Sequence, residues 1–516
     1  MNTRAPQAAD IIIVGAGSAG SVIANRASEE PNRTVLLLEA GPDYPDPGQT
    51  PFDLVNSHNN SYRDHDWQLN YEPTAGREQF FPRGRVTGGS SAVNTTIALR
   101  GMPEDYDEWA SHGNDQWSWS QVLPAFKRLE RDLDFGAAPY HGDAGPITIR
   151  RYPQQELLAQ HQAFLESAAH LGYPHCADAN DPDGSGAGPQ PMNKLGQARI
   201  STAVGYLAPA RIRPNLTIAA NLTVQRLCFE SGRCTGVEVL EADGSVNQLH
   251  AKLVIVCAGA LLTPTLLMRS GLGPRAQLQQ HGIDVLQNVP GVGQNLCDHP
   301  AISVVASVRD TALIDFDAPL IQTILRYTAA GSALRNDLQI EQLSFSGRRQ
   351  STPSFAIAAV LEYQYGRGEL TLRSADPKAP PRVHNHFCED ARDASRLATA
   401  FKDALAFTRQ GPLADLIEGI RFPKDAHTLS DAALSDLCRT HSGSGYHPCG
   451  TARMGSANDP GAVVDQYGCA HHADGLVIAD ASIMPSVPRA NTNLTCIMIG
   501  EKIGEWLRTE PGRYGL

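Results

Sequence analysis

The sequence predicts a mixed α/β fold in two parts: one domain on a parallel sheet, and a discontinuous second domain on an antiparallel sheet with helices. Three observations carry this. The chain has 516 residues, too many for one ordinary core. A glycine-rich turn near the N-terminus lies between an apolar strand and a helix. Apolar strand segments of the same kind return in the middle and near the end, with a stretch of different character between them. The expected division assigns 1–150, 195–300 and 440–516 to the first domain, and 151–194 and 301–439 to the second.

The first element is Asp10–Val14, a short β-branched run that reads as a buried parallel strand. Gly15-x-Gly17-x-x-Gly20 follows. Gly15 suits the tight turn, Gly17 a close approach to a pyrophosphate, and Gly20 close packing of helix on strand. The helix aims its free N-terminal amides at the phosphates. A second strand, Val35–Leu38, ends in Glu39, whose carboxylate can accept from a ribose 2′-hydroxyl. Together these define a Rossmann-like dinucleotide-binding unit. The acid favours an unphosphorylated adenosine ribose, as in NAD or FAD, and does not choose between them.

Next come a Pro/Gly loop at 41–51 and the segment 80–110, glycine-rich and then helical. "SWSQVLPAFKRLERD" has helical apolar spacing behind a serine cap, so a surface helix is expected. Residues 215–260 read as successive strands turning at "SGR" and "ADGS". From about 300 to 438 short strands alternate with amphipathic helices, and no glycine motif appears. "GLVIADASIMPSV" then returns as a buried strand, and "NLTCIMIGEKIGEWLR" as a last helix.

Composition excludes several classes. The net charge is −12 and no Lys/Arg block appears, so nucleic acid is not an expected partner. The longest apolar run, near "LVIVCAGALL", is too short to span a bilayer. The N-terminus lacks the apolar core of a signal peptide. The ten cysteines are scattered without metal-ligand spacing, so free thiols, no metal and a cytoplasmic location are expected.

Five ordered motifs carry a resemblance over almost the whole chain: "GRVTGGSSAVN", "GALLTPTLLMRSGLG", "PGVGQNLCDHP", "HPCGTARMG" and "VIADASIMPSVPRANTNLTCIMIGEK". Their sequence resembles the glucose–methanol–choline (GMC) flavoprotein oxidoreductases, and within them bacterial alcohol oxidases and dehydrogenases. The resemblance implies FAD. Members that bind FAD covalently carry a histidine where this chain has Val93, so non-covalent FAD is expected. Thr87, where the family usually has an aliphatic residue, should affect only local packing.

In "GGSSAVN", Gly88 and Gly89 let backbone approach a flat ring, and Asn94 and Thr95 can contact it; the resemblance lays this loop along the flavin. It also implies cofactor contacts for Ser18, Val224, Asp480, Ala481 and Thr492. The last helix should start near Asn491–Thr492 and turn its positive end to the flavin N1–C2 carbonyl edge, which stabilises reduced flavin. Alcohol oxidation needs a proton acceptor beside the hydride acceptor, and an imidazole suits it. By resemblance His447 is that base, and Asn491 its partner that orients and polarises the alcohol oxygen. Cys449 reads as a packed thiol, and Asp298–His299 as a structural element near the cofactor.

The expected substrate pocket comprises Gly445 and Tyr446 with Val360, Glu362 and Tyr363. Strand alternation turns only one face of 359–365 inward. Glu362 inward would favour a cationic or hydroxyl-rich substrate, and the tyrosines an aromatic one. The reading favours a primary alcohol on an aromatic or furan-like ring, with oxygen or a quinone-like acceptor, in a monomer or homodimer. Alternatives are a choline-type or other aliphatic alcohol dehydrogenase, a hydroxynitrile lyase-like member, and a non-catalytic flavin binder.

Overall fold

A computed structural model describes residues 5–241, 243–347 and 352–516. Its first sheet runs Leu216–Ala219, Val35–Leu38, Ala8–Val14, Val246–Val256, Arg233–Leu240, Thr223–Glu230, with Leu476–Ile478 paired beside the end of Val246–Val256. The first four strands and Leu476–Ile478 are parallel; the remaining pair forms an antiparallel flap. Ile11, Ile12, Ile13, Leu36 and Leu37 are fully buried, as a run covered on both faces must be. All parallel strands end at one edge, where a ligand of such a sheet binds.

Two helices are locked at that edge. The first, Ser18–Ala27, and the last, Thr492–Thr509, pack along small residues. A Cβ added to Gly500 would stand 2.8 Å from Val22 Cβ, and one on Gly504 would stand 2.6 Å from Arg26 Cβ. Glycines four apart therefore clear one helical stripe for the partner; filling it costs about 1–3 kcal/mol by overpacking. Ser18 Oγ donates to Asn493 Oδ1 at 2.9 Å, so both helix N-termini open on one place.

The second sheet is antiparallel: Ile417–Phe422, Pro300–Val308, Ser354–Leu361, Leu338–Leu343, Ile321–Tyr327, Gly186–Pro189. Helix Ala391–Ala406 covers the face that carries Phe355, Ile357, Ala359 and Leu361. The expected helix behind Ser118 forms as Trp119–Leu129, but the Ser118 side chain makes no cap bond and instead meets Ser120 Oγ at 3.2 Å. Among the described residues no helix is long and apolar enough to cross a membrane.

A short ladder leads out of the second sheet. Gly443–Ser444 pairs with the start of Pro300–Val308, Pro300 opposite Ser444. Further on, Cys297 and Cys449 exchange both backbone hydrogen bonds, at 3.0 and 2.9 Å. These pairs lie three steps apart on one strand and five on the other, so two residues must bulge. The bulge carries Tyr446 and His447.

Candidate active site

A cavity of about 500 Å³ runs between the glycine turn, the 84–95 loop, the bulge and the start of the last helix. Gly15 has φ +101°, and its N–H donates to Leu38 O at 2.8 Å. A Cβ on Gly20 would stand 2.0 Å from Gly15 O, so helix–strand contact requires glycine there. The nearest atom a Cβ on Gly17 would meet is Gly89 Cα at 3.9 Å, so that space opens on the cavity. Gly17 caps the first helix with no side-chain bond, and the first turn holds no acidic residue, which leaves the amides and the positive helix end free.

Glu39 lies at the far end, 5% exposed. Its oxygens accept from Ala16 N at 3.0 Å and Gly41 N at 2.8 Å. Burial pushes its carboxyl up to about 7, against those amides and the Arg85 charge. Asn94, Thr95, Val224, Asp480, Ala481 and Thr492 also line the cavity. Gly88 and Gly20 do not: Gly88, at φ +96°, turns the loop behind the lining and donates to Ala16 O at 2.7 Å. Asp480 Oδ2 accepts from Gly259 N and Thr263 Oγ1 at 2.8 and 2.6 Å, and its Oδ1 caps Ser482 N at 2.8 Å. It therefore staples the last strand to helix Gly259–Arg269 at the cavity wall.

The bulge is held from three sides. Tyr446 takes a left-handed backbone, φ +69°, which costs a residue with a Cβ about 1–3 kcal/mol. Gly445 N donates to His299 O at 2.7 Å, His447 N to Asp298 Oδ1 at 2.9 Å, and Arg83 Nη2 to Tyr446 O at 2.9 Å. The His447 ring then lies between two partners. Nε2 meets the Asn491 amide nitrogen at 2.9 Å, and Nδ1 meets His299 Nδ1 at 2.9 Å. Burial, then the His299 and Arg83 charges, hold this imidazole well below its ordinary range. It is neutral at neutral pH, the form a base needs.

Asn491 caps the last helix by position but gives it no side-chain bond. Its amide turns to His447, which leaves its Oδ1 buried without a partner; Asn493 Nδ2 is likewise unpaired. Buried polar atoms left open at a cavity wall fit a polar ligand.

The expected pocket is corrected at three positions. Gly445 and Tyr446 line the cavity; Val360, Glu362 and Tyr363 do not. Strand Ser354–Leu361 is buried along its whole length, so its second face is covered as well as its helix-facing one. Glu362 stands behind His299, its Oε2 3.7 Å from His299 Nε2. Tyr363 donates to Glu108 Oε1 at 3.2 Å. Tyr62, Trp67, Gln68 and Arg83 line the cavity together with Tyr446. Sequence reasoning passed over these four. It set aside Asp298–His299, whose "DHP" was the visible signal. Thr87 Oγ1 is buried without a partner. Cys449 is fully buried, packed as expected.

Comparison with known proteins agrees with this arrangement. The GMC oxidoreductase family models match residues 9–301 and 364–500. A 5-(hydroxymethyl)furfural oxidase of Methylovorus sp. (strain MP688) is 36% identical, over 97% of this chain and 99% of its own. An oxygen-dependent choline dehydrogenase of Chromohalobacter salexigens is 35% identical, over 97% and 94%. The crystal structure of pyridoxine 4-oxidase from Mesorbium loti superposes with a TM-score of 0.89 at 29% identity, covering 97% of this chain and 99% of that one. The chain belongs to the GMC oxidoreductase family. It is a flavoprotein oxidoreductase, and its cofactor is FAD.

The residues present fit that cofactor. The open space at Gly17 and the free amides behind it suit a pyrophosphate, Glu39 suits an adenosine ribose, and the unpaired Asn491 and Asn493 atoms suit the polar edge of a flavin ring.

Proposed function

We propose that this enzyme oxidises a primary alcohol on an aromatic or furan-like ring to the aldehyde, with His447 as the base. Bound FAD supplies the hydride acceptor. The alcohol hydroxyl takes the place of the Asn491 amide at His447 Nε2, which accepts its proton, and the amide, 2.9 Å from that nitrogen, turns its N–H to the alcohol oxygen and stabilises negative charge on it. This contact is the single observation that carries the reading. A flavin binder without chemistry needs neither group.

The lining of the substrate end favours an aromatic alcohol over a quaternary amine. Tyr62 and Tyr446 lie with ring centroids 6.3 Å apart, and Phe81, outside the lining, packs behind Tyr446 at 6.4 Å. The only carboxylates in the described lining, Glu39 and Asp480, belong to the nucleotide end and the strand staple, while Arg83 puts a cation near His447. FAD is held without a covalent link, since Val93 at the cavity wall has no nucleophile.

The test is a panel of alcohols added anaerobically while flavin absorbance is followed. Aromatic and furan-type primary alcohols should bleach the flavin fastest. Bleaching by choline alone, or by no alcohol, contradicts the reading; turnover without bleaching would mark a lyase.

A further inference from the structure

Behind the base stands a line of groups that leads away from the cavity. His447 Nδ1 and His299 Nδ1 are 2.9 Å apart, with the rings crossed at 71°. His299 Nε2 points on to Glu362 Oε2 at 3.7 Å. His299 and Glu362 are 0% and 1% exposed. Neither His299 Nε2 nor Glu362 Oε2 has a side-chain hydrogen-bond partner, and the Pro488 and Glu362 backbones lie beside the His299 ring. Two buried polar atoms left facing each other call for an explanation.

Tautomer logic supplies one. Two ring nitrogens at 2.9 Å share one hydrogen: one donates, the other accepts. A base must present a bare Nε2 to the alcohol, so the His447 proton sits on Nδ1. His299 Nδ1 is then the acceptor, and the His299 proton sits on Nε2. That N–H is aimed at Glu362. Every proton in the line therefore points from the reacting alcohol towards the carboxyl.

We propose that Glu362 is the terminal acceptor of the proton that leaves the substrate, received through His447 and His299. The inference rests on the reading that His447 is the base. The alcohol O–H breaks as His447 Nε2–H forms. His447 Nδ1–H breaks as His299 Nδ1–H forms, and His299 Nε2–H breaks as Glu362 Oε2–H forms. Both rings end neutral with tautomers exchanged, one carboxylate charge is lost, and the electron pair departs separately with the hydride to FAD. The last transfer needs the 3.7 Å separation to shorten to hydrogen-bond distance.

The surroundings explain why the proton does not rest on a ring. Burial holds His299 down to about 4, and His447 is held well below its ordinary range. Glu362 alone in the line is held high: burial pushes it up to about 8. Groups from every neighbouring element face it. Arg326 comes from strand Ile321–Tyr327, Glu341 from Leu338–Leu343, Asp105 from helix Pro103–Ser111, and Arg489 from the loop before the last helix. Arg489 and Asp105 pair at 2.6 Å. Arg326 donates to the carbonyls of Ala179 and Arg489, both at 2.7 Å, and to no carboxylate. Its charge is free to support the Glu362 carboxylate before turnover.

The experiment uses the holoenzyme and Glu362→Gln, which keeps shape and cannot take a proton. Anaerobic flavin reduction by the parent should rise with pH through about 8, as Glu362 ionises and becomes an acceptor. Glu362→Gln should lose that inflection and reduce about 10-fold or more slowly at its alkaline plateau, with Glu362→Asp recovering part of the rate. A second readout is independent of rate. Infrared difference spectra of the resting oxidised holoenzyme should show protonated carboxyl disappearing as pH rises through about 8, with the Glu362 share missing in Glu362→Gln and the Glu341 share missing in Glu341→Gln. Reduction by alcohol above that pH should bring the band back in the parent. An unchanged pH profile and rate in Glu362→Gln, with His447→Ala still slow, overturns the relay and leaves the base in place. A fast His447→Ala overturns the base reading and the relay with it. If Glu362→Gln does not hold FAD, the parent's infrared spectrum decides: no carboxyl band on reduction overturns the proposal.

Discussion

The Asn491 amide nitrogen lies 2.9 Å from His447 Nε2, across 44 residues of sequence. A two-residue bulge delivers one partner and a helix start delivers the other, so the pair exists only when both sheets are assembled. Asn491→Ala should keep FAD and lose about 10- to 100-fold in flavin reduction, the size of a hydrogen bond to developing charge. Stopped-flow reduction measures it. A rate equal to the parent's would remove Asn491 from the chemistry.

Glu39 accepts two backbone amides and faces the nucleotide end. Glu39→Ala should weaken FAD binding by about 10-fold or more while the protein keeps its far-ultraviolet circular dichroism, since a hydrogen-bonded carboxylate contact is worth about 1.5–3 kcal/mol. Titration of the apoprotein with FAD reads this directly. Undiminished affinity would show that the carboxylate is not a ribose contact.

Val93 carries only an aliphatic side chain at the cavity wall. Acid precipitation should leave the yellow colour in the supernatant. Colour in the pellet would require a covalent attachment elsewhere.

Glu341 lies in the second sheet, where burial and then the Glu362 charge push its carboxyl from 4.5 up to about 8. The folded value lies above the unfolded one, so the folded state binds more protons between them. Its stability contribution is therefore full below about 4.5 and is lost as pH rises to about 8. Glu341→Gln should flatten the fall in Tm across that window. A fall as steep as the parent's would place the cause elsewhere.

Much of this was legible in the sequence for a physical reason: backbone-level constraints write themselves as residue types. Gly15, Gly17 and Gly20 mark a turn and contacts that other residues block, and Asn491–Thr492 marks a helix start. The substrate end was not legible. Period-two alternation puts Val360 and Glu362 on one face, but it cannot say that His299 stands against Glu362 there. Nor does local sequence show that Pro300 pairs with Ser444, the register that brings His299 against His447. Long-range register decides which histidine meets which.

Removal of the alcohol proton falls to His447. Anaerobic stopped-flow reduction of His447→Ala, loaded with FAD and showing a normal oxidised spectrum, tests it most directly. Reduction should be about 10²- to 10⁴-fold slower than in the parent with every alcohol the parent accepts, the usual loss on removing a general base. Reduction within a few-fold of the parent rate would contradict it and assign the proton to another group.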